Sequence, residues 1–144
     1  MLAKLPVFFA IFATLASVPN VLNAAAPVEA VTPIFGHDIP NIPGKSMITT
    51  LVTYPPGGAS PAHTHAPSAF IYAYVLSGEI RSQVDGGPIR IYRPGESWYE
   101  APGAHHTVSE NVSRTKPAKL LAIFVVNSGE EPLVIPDRSK GARP

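Results

Sequence analysis

Five histidines occur in the 144-residue chain, and four of them form two pairs, His63/His65 and His105/His106. Imidazole is the commonest metal ligand in proteins because it is available unprotonated near neutral pH. His63 and His65 flank a single residue. On a strand this spacing turns both rings to one face, roughly 6.6 Å apart, where both can reach one ion. A third nitrogen from another strand would complete a facial set. His105 and His106 are adjacent, so a strand sends them to opposite faces. His106 shares its face with Val108, and His105 shares one with Thr107 and Ser109. The apolar face belongs inside. Parity therefore favours His106 as the inward ligand and leaves His105 as a rim or surface group, although Glu110 also falls on the His106 face. His37, within Phe35-Gly36-His37-Asp38, reads as a surface or capping group.

Other chemistries lack their residues. Zero cysteines remove disulfides, thiolate metal sites and cysteine nucleophiles together. The sequence offers no Ser-His-Asp set, paired-carboxylate pattern or nucleotide motif. Gly86-Gly87-Pro88 has hairpin-turn chemistry, and no helix start follows it as a phosphate loop requires. Eleven Lys+Arg against ten Asp+Glu leave no electrostatic footprint for nucleic acid. Glu96, Glu100 and Glu110 could each serve as a general base, without any geometry to choose among them.

The elements that must position the histidines are short and regularly punctuated. Strand-like runs cover Met47 to Tyr54, Ala69 to Leu76, Glu79 to Asp85, Ile89 to Tyr92, Ser97 to Glu100, His105 to Val112 and Lys119 to Val126. Most end at Gly- or Pro-containing turns. Turn signals at such intervals indicate an all-β sandwich or barrel. Seventeen scattered prolines exclude long helices. Along the second run, Ala69, Ile71, Ala73 and Val75 share one face, while Phe70, Tyr72, Tyr74 and Leu76 share the other. Small inward residues would leave a cavity near the ion. The bulky face needs cover from another layer, the N-terminal arm or a second subunit, so a homodimer is expected. Arg81, Arg90 and Arg93, with Trp98 and Tyr99, are candidates for a substrate rim, although charged strand residues more often face solvent.

Residues 1–26 read as a secretory signal peptide. Lys4 precedes an apolar stretch from Leu5 to Ala16, and small residues ending Asn23-Ala24-Ala25-Ala26 follow. The apolar stretch is shorter than the ~20 residues of a membrane span. A secreted or periplasmic protein is expected, with no stable membrane span after cleavage. The remaining organisation is a Pro-rich extended arm over 27–46, running along the surface or a sheet edge, a barrel core over 47–127, and a C-terminal strand and loose tail over 128–144.

These spacings resemble those of the cupin family. Its first motif places His-x-His five residues after a glycine, as Gly57 precedes His63-Thr64-His65. Its second runs from a glycine through Pro-x-Gly and two further residues to a histidine, then to an asparagine. Here Gly95, Pro102-Gly103, His106 and Asn111 follow that order, with the proline displaced from position 101 and the asparagine one residue late. His106 falls on the family's metal position. The family's glutamate ligand would stand six residues before the strand's closing glycine, Gly78, and that position is Ile71. The span His65 to Ile71 contains no acidic residue.

The resemblance implies a single jelly-roll-type barrel holding one divalent metal through His63, His65 and His106, a neutral three-histidine site from which the carboxylate ligand is absent, not just shifted. Iron is favoured, with nickel, copper, zinc or manganese as alternatives. Neutral ligands leave more charge on the ion, which suits an anionic chelating small molecule. The implied activity is that of a metal-dependent, dioxygenase-like oxidoreductase on a small chelating organic substrate. The alternative is a non-catalytic cupin that binds metal or ligand.

Overall fold

The computed structural model describes residues 27–138. The signal-peptide reading of residues 1–26 and the end of the expected tail lie outside them. Ten strands are present: β1 (Ala30–Asp38), β2 (Lys45–Tyr54), β3 (His63–His65), β4 (Phe70–Ser77), β5 (Ile80–Val84), β6 (Arg90–Tyr92), β7 (Ser97–Glu100), β8 (His105–Asn111), β9 (Ala118–Asn127) and β10 (Val134–Pro136). They form two five-stranded sheets, ordered β1-β2-β9-β4-β7 and β10-β3-β8-β5-β6. Every ladder between named strands is antiparallel. The chain is therefore all-β, and no helix occurs among the described residues.

The first sheet is built on β9. Its Leu-Leu-Ala-Ile-Phe-Val-Val run is rich in the branched and aromatic side chains that fill a pleated surface. It pairs along its whole length with β2 and along most of it with β4. The faces of β4 divide as their alternation requires. Ala69, just before the strand, and Ile71, Ala73 and Val75 are buried, whereas Phe70, Tyr72 and Leu76 are exposed. The Pro-rich arm runs at a sheet edge as β1, antiparallel to β2, and its register slips between Pro33 and Phe35. An edge tolerates Pro33, which has no N–H for a ladder bond.

Two glycine turns close the barrel around the site. Gly78 turns the chain after β4 at φ 72°, and a Cβ there would meet the Ala118 Cβ at 2.6 Å. Any side chain would push β9 away. Gly103, at φ 72°, makes the turn that delivers β8 and its histidines. Buried side chains gather in two clusters. One contains Val52, Tyr54, Val75, Ile80, Ala118 and Leu120. The other contains Ala66, Ala69, Ile71, Phe124 and Val126.

Candidate metal centre

His63 and His65 occupy the two ends of β3, and His106 is the second residue of β8. His63 and His106 are direct partners across the ladder. All three histidines are buried, and each offers a nitrogen within 4.8 Å of the other two. Their rings face a cavity of about 320 Å³ whose walls include Val52, Ile71, Ala73, Leu120, Ala122 and Phe124. That volume lies at the small end of the range for small-molecule sites.

His106 points inward, but strict alternation is not the reason. In β8 the buried residues are His106, Ser109 and Asn111, which do not share one parity. The β5–β8 register shifts so that Gln83 pairs with Val108 while Val84 pairs with His106. Thr107 is the extra residue of a bulge, and its hydroxyl donates to the Gln83 backbone and side-chain oxygens at 3.2 and 3.0 Å. A bulge exchanges the faces on either side of it. Val108 and Glu110, which alternation from His106 would have buried, are therefore half-exposed. His105 lies on the outside, with Nε2 2.9 Å from an Asp137 oxygen.

Outer contacts orient the rings. His63 Nδ1 is 2.7 Å from the Pro61 carbonyl oxygen. Donation there leaves Nε2 as the free lone pair. Burial holds the His63 pKa below the usual imidazole value despite that bond, so the ring is neutral and able to ligate near pH 7. His106 Nε2 lies 2.9 Å from Ser82 Oγ, which turns Nδ1 away from the second sheet's interior hydroxyl. His65 lies edge-on to Phe124, with centroids 5.9 Å apart.

A carboxylate also reaches the cluster. Glu100, at the end of β7, is only 3 % exposed. Its Oε2 is 2.9 Å from His65 Nε2, and its Oε1 is 3.2 Å from His106 Nδ1. The Trp98 indole N–H donates to Oε1 at 3.0 Å. Burial alone would raise this carboxyl's pKa, but the contacts with His106 and His65 outweigh it and hold the group well below the usual carboxylate range. Glu100 is the direct ladder partner of Ile71, the residue at the family's glutamate position. The three histidines are thus not a carboxylate-free set. The sequence offered Glu100 only as one of three possible general bases, with no geometry to place it. The register with Ile71 decided the matter, and no local pattern encodes it.

Some buried polar atoms have no aligned hydrogen-bond partner. They include both ring nitrogens of His65, Glu100 Oε2 and Glu29 Oε2. Stranding such atoms away from water costs on the order of 1–3 kcal/mol each, and a metal ion at the histidines would satisfy one nitrogen of His65, the lone pair of a neutral ring. The donor set therefore fits a divalent cation. Glu29 stands just before β1 on the cavity wall, where a bond from Ala59 N–H to the Pro27 carbonyl, at 3.0 Å, ties its segment down. The pKa of Tyr54, also on the wall, is raised to about 12 by burial, against hydrogen bonds shared with Ser109 and Ser60, and the group remains a neutral phenol.

The other candidates lie elsewhere. Arg81 pairs with Glu110, Arg93 with Glu79, and Arg90 is exposed, so none lines the cavity. Trp98 lines it, whereas Tyr99 stacks on Phe70 at the outer face. His37 is exposed, beside the Asp38 carbonyl. Glu96 caps the Arg93 N–H at 2.7 Å. The Asn111 amide donates to the Pro55 and Lys116 carbonyls while its oxygen accepts from Ser113 N–H, so it pins loops.

A family model described as the cupin domain matches residues 50–124, and the chain belongs to that family. No protein of curated function matches it. An uncharacterized conserved protein with a double-stranded beta-helix domain, from Klebsiella pneumoniae, superposes with a TM-score of 0.60 at 15 % identity, covering 85 % of this chain and 97 % of that one. The cupin domain of Schizosaccharomyces pombe Cnp3 gives 0.57 at 13 % identity, over 69 % and 62 %. These two are likenesses of fold. A recombinant oxalate oxidase in complex with glycolate gives 0.56 at 28 % identity, over 74 % of this chain. The chain spans 54 % of that protein's length.

Proposed function

We propose that this chain is an exported cupin that binds one divalent metal, iron by preference, through His63, His65 and His106, and acts as a metal-dependent oxidoreductase on a small chelating organic acid. The observation that carries the reading is the convergence of three buried histidines on one small, apolar-walled cavity. When bound, the ion would supply Lewis-acid or redox chemistry to a ligand chelated at its open positions. The chain's own residues do the remaining work. The apolar walls from β2, β4 and β9 disfavour water beside the ligand and limit it to a small molecule. Glu29 Oε2, buried without a donor, would accept a hydrogen bond from a hydroxyl or ammonium group on that ligand. The oxalate oxidase neighbour, solved with glycolate, supports a small organic acid as the class to test first.

The test is elemental analysis of the purified mature protein beside a His63→Ala/His65→Ala variant, followed by oxygen-electrode assays with a panel of oxalate, glycolate, short diketones and phenolic acids. About one metal per wild-type chain, less than a tenth of that in the variant, and oxygen uptake with one panel member are expected. Equal metal in both proteins would reject the site. Metal without turnover of any panel member would favour a non-catalytic binding cupin. The exposed Phe70, Tyr72, Leu76 and Tyr99 support a homodimer, which light scattering at the monomer mass would reject.

A further inference from the structure

Resting on the reading of the three histidines as ligands, we infer that Glu100 is a fourth protein ligand: the metal-binding carboxylate of this cupin comes from β7, one strand away from its motif position in β4. Two atoms at a hydrogen-bonding distance normally bond through an aligned proton. His65 Nε2 and Glu100 Oε2 are 2.9 Å apart, yet neither has an aligned partner, and both are buried. Ligands bound at about 2.0–2.2 Å and at right angles around one ion lie roughly 3 Å apart. A separation of 2.9 Å is that of neighbouring ligands on one ion as well as that of an ion pair, and the missing alignment is what favours the former. The second contact, 3.2 Å from Glu100 Oε1 to His106 Nδ1, keeps the carboxylate beside a second histidine of the set.

The ladder explains how a carboxylate can change strands and keep its destination. Residues directly opposite in an antiparallel pair project to the same face, with Cβ atoms about 4.5–5.5 Å apart. Ile71 and Glu100 form such a pair, and both are buried. A glutamate has enough reach to cover that offset. Ile71 then fills the vacated place with hydrocarbon, adding to the apolar wall. The indole N–H of Trp98, 3.0 Å from Oε1, holds one carboxylate oxygen and leaves Oε2 to the ion. Such an outer partner is what a ligating carboxylate ordinarily has.

Cobalt(II) is the probe, added to metal-free protein, with affinity from titration and ligand count from the visible absorption spectrum. Four proteins are compared: wild type, Glu100→Gln, Glu100→Asp and the exchange Ile71→Glu/Glu100→Ile. Glu100→Gln is expected to weaken cobalt binding at least thirtyfold and to change the intensity and position of the visible bands. The exchange variant is expected to recover affinity to within about fivefold of wild type. Glu100→Asp is the control for folding, since it keeps the charge and shortens the reach, and its affinity should fall between those of the other two variants. Weaker binding by Glu100→Gln with unchanged bands would overturn the inference and leave Glu100 a positioning residue. Unchanged affinity would overturn it outright. Failure of the wild type itself to bind cobalt would reject the three-histidine reading on which it rests, and so separates the two failures.

Discussion

The two sheets serve the site in different ways. The histidine sheet is built from short pieces: β3 and β10 have three residues each, and β8 is interrupted by a bulge. Its histidines are set by local bonds, His63 to Pro61 and His106 to Ser82. The opposing sheet is anchored by β2 and β9, ten residues each and paired without a register break. It supplies hydrocarbon and one carboxylate. The division places the reactive groups where the backbone is least regular and the rigid wall where it is most regular. Stability and ligation should therefore be separable by mutation.

The largest expected effect is on the wall. Phe124 is 4 % exposed, lies in the second apolar cluster and backs His65 edge-on. Phe124→Ala should cost about 3–5 kcal/mol by lost transfer energy and a residual cavity, measured by urea denaturation of the metal-free protein. His63→Ala, which leaves the His65–Glu100 contact in place, should cost less than that. Equal losses in the two experiments would erase the contrast between the sheets.

An intermediate effect should appear with pH. His63 has its folded pKa depressed by burial, so the unfolded chain takes up a proton first as pH falls. Its contribution is complete above the unfolded pKa, about 6.5, and is lost as pH drops through the lower folded value. The metal-free protein should lose stability as pH falls below about 6.5, and His63→Ala should flatten that slope. Glu100 acts in a lower window. Its depressed pKa gives a contribution present above about pH 4.5 and lost on further acidification, a loss absent from Glu100→Gln. A slope below about pH 6.5 that is the same in wild type and His63→Ala would mean that burial does not penalise the His63 charge.

The smallest effect is expected at His105. Its pairing with Asp137 is exposed on both sides, and such pairs contribute about 0–1 kcal/mol. His105→Ala should leave cobalt affinity within twofold and stability within about 0.5 kcal/mol. A larger loss of cobalt would return His105 to the ligand set in place of His106.

Much of this architecture is legible in the amino-acid order. Alternation in β4 sorts Ile71, Ala73 and Val75 from Phe70, Tyr72 and Leu76. Turn residues mark most strand ends, and the motif spacing singles out His63, His65 and His106. The inward direction of His106 was legible from its place in the motif. Parity reached the same answer without seeing that Thr107 shifts the register and turns Val108 and Glu110 outward.

The sequence by itself determined an all-β chain with paired histidines at ligand spacing, because side-chain periodicity and turn chemistry act over a few neighbouring residues. Only the tertiary structure decided that Glu100 joins them. Its role depends on which residue of β4 lies opposite β7, a register set by packing across residues distant in the chain. A carboxylate acquires its chemistry from what surrounds it, and here those surroundings come from three other strands.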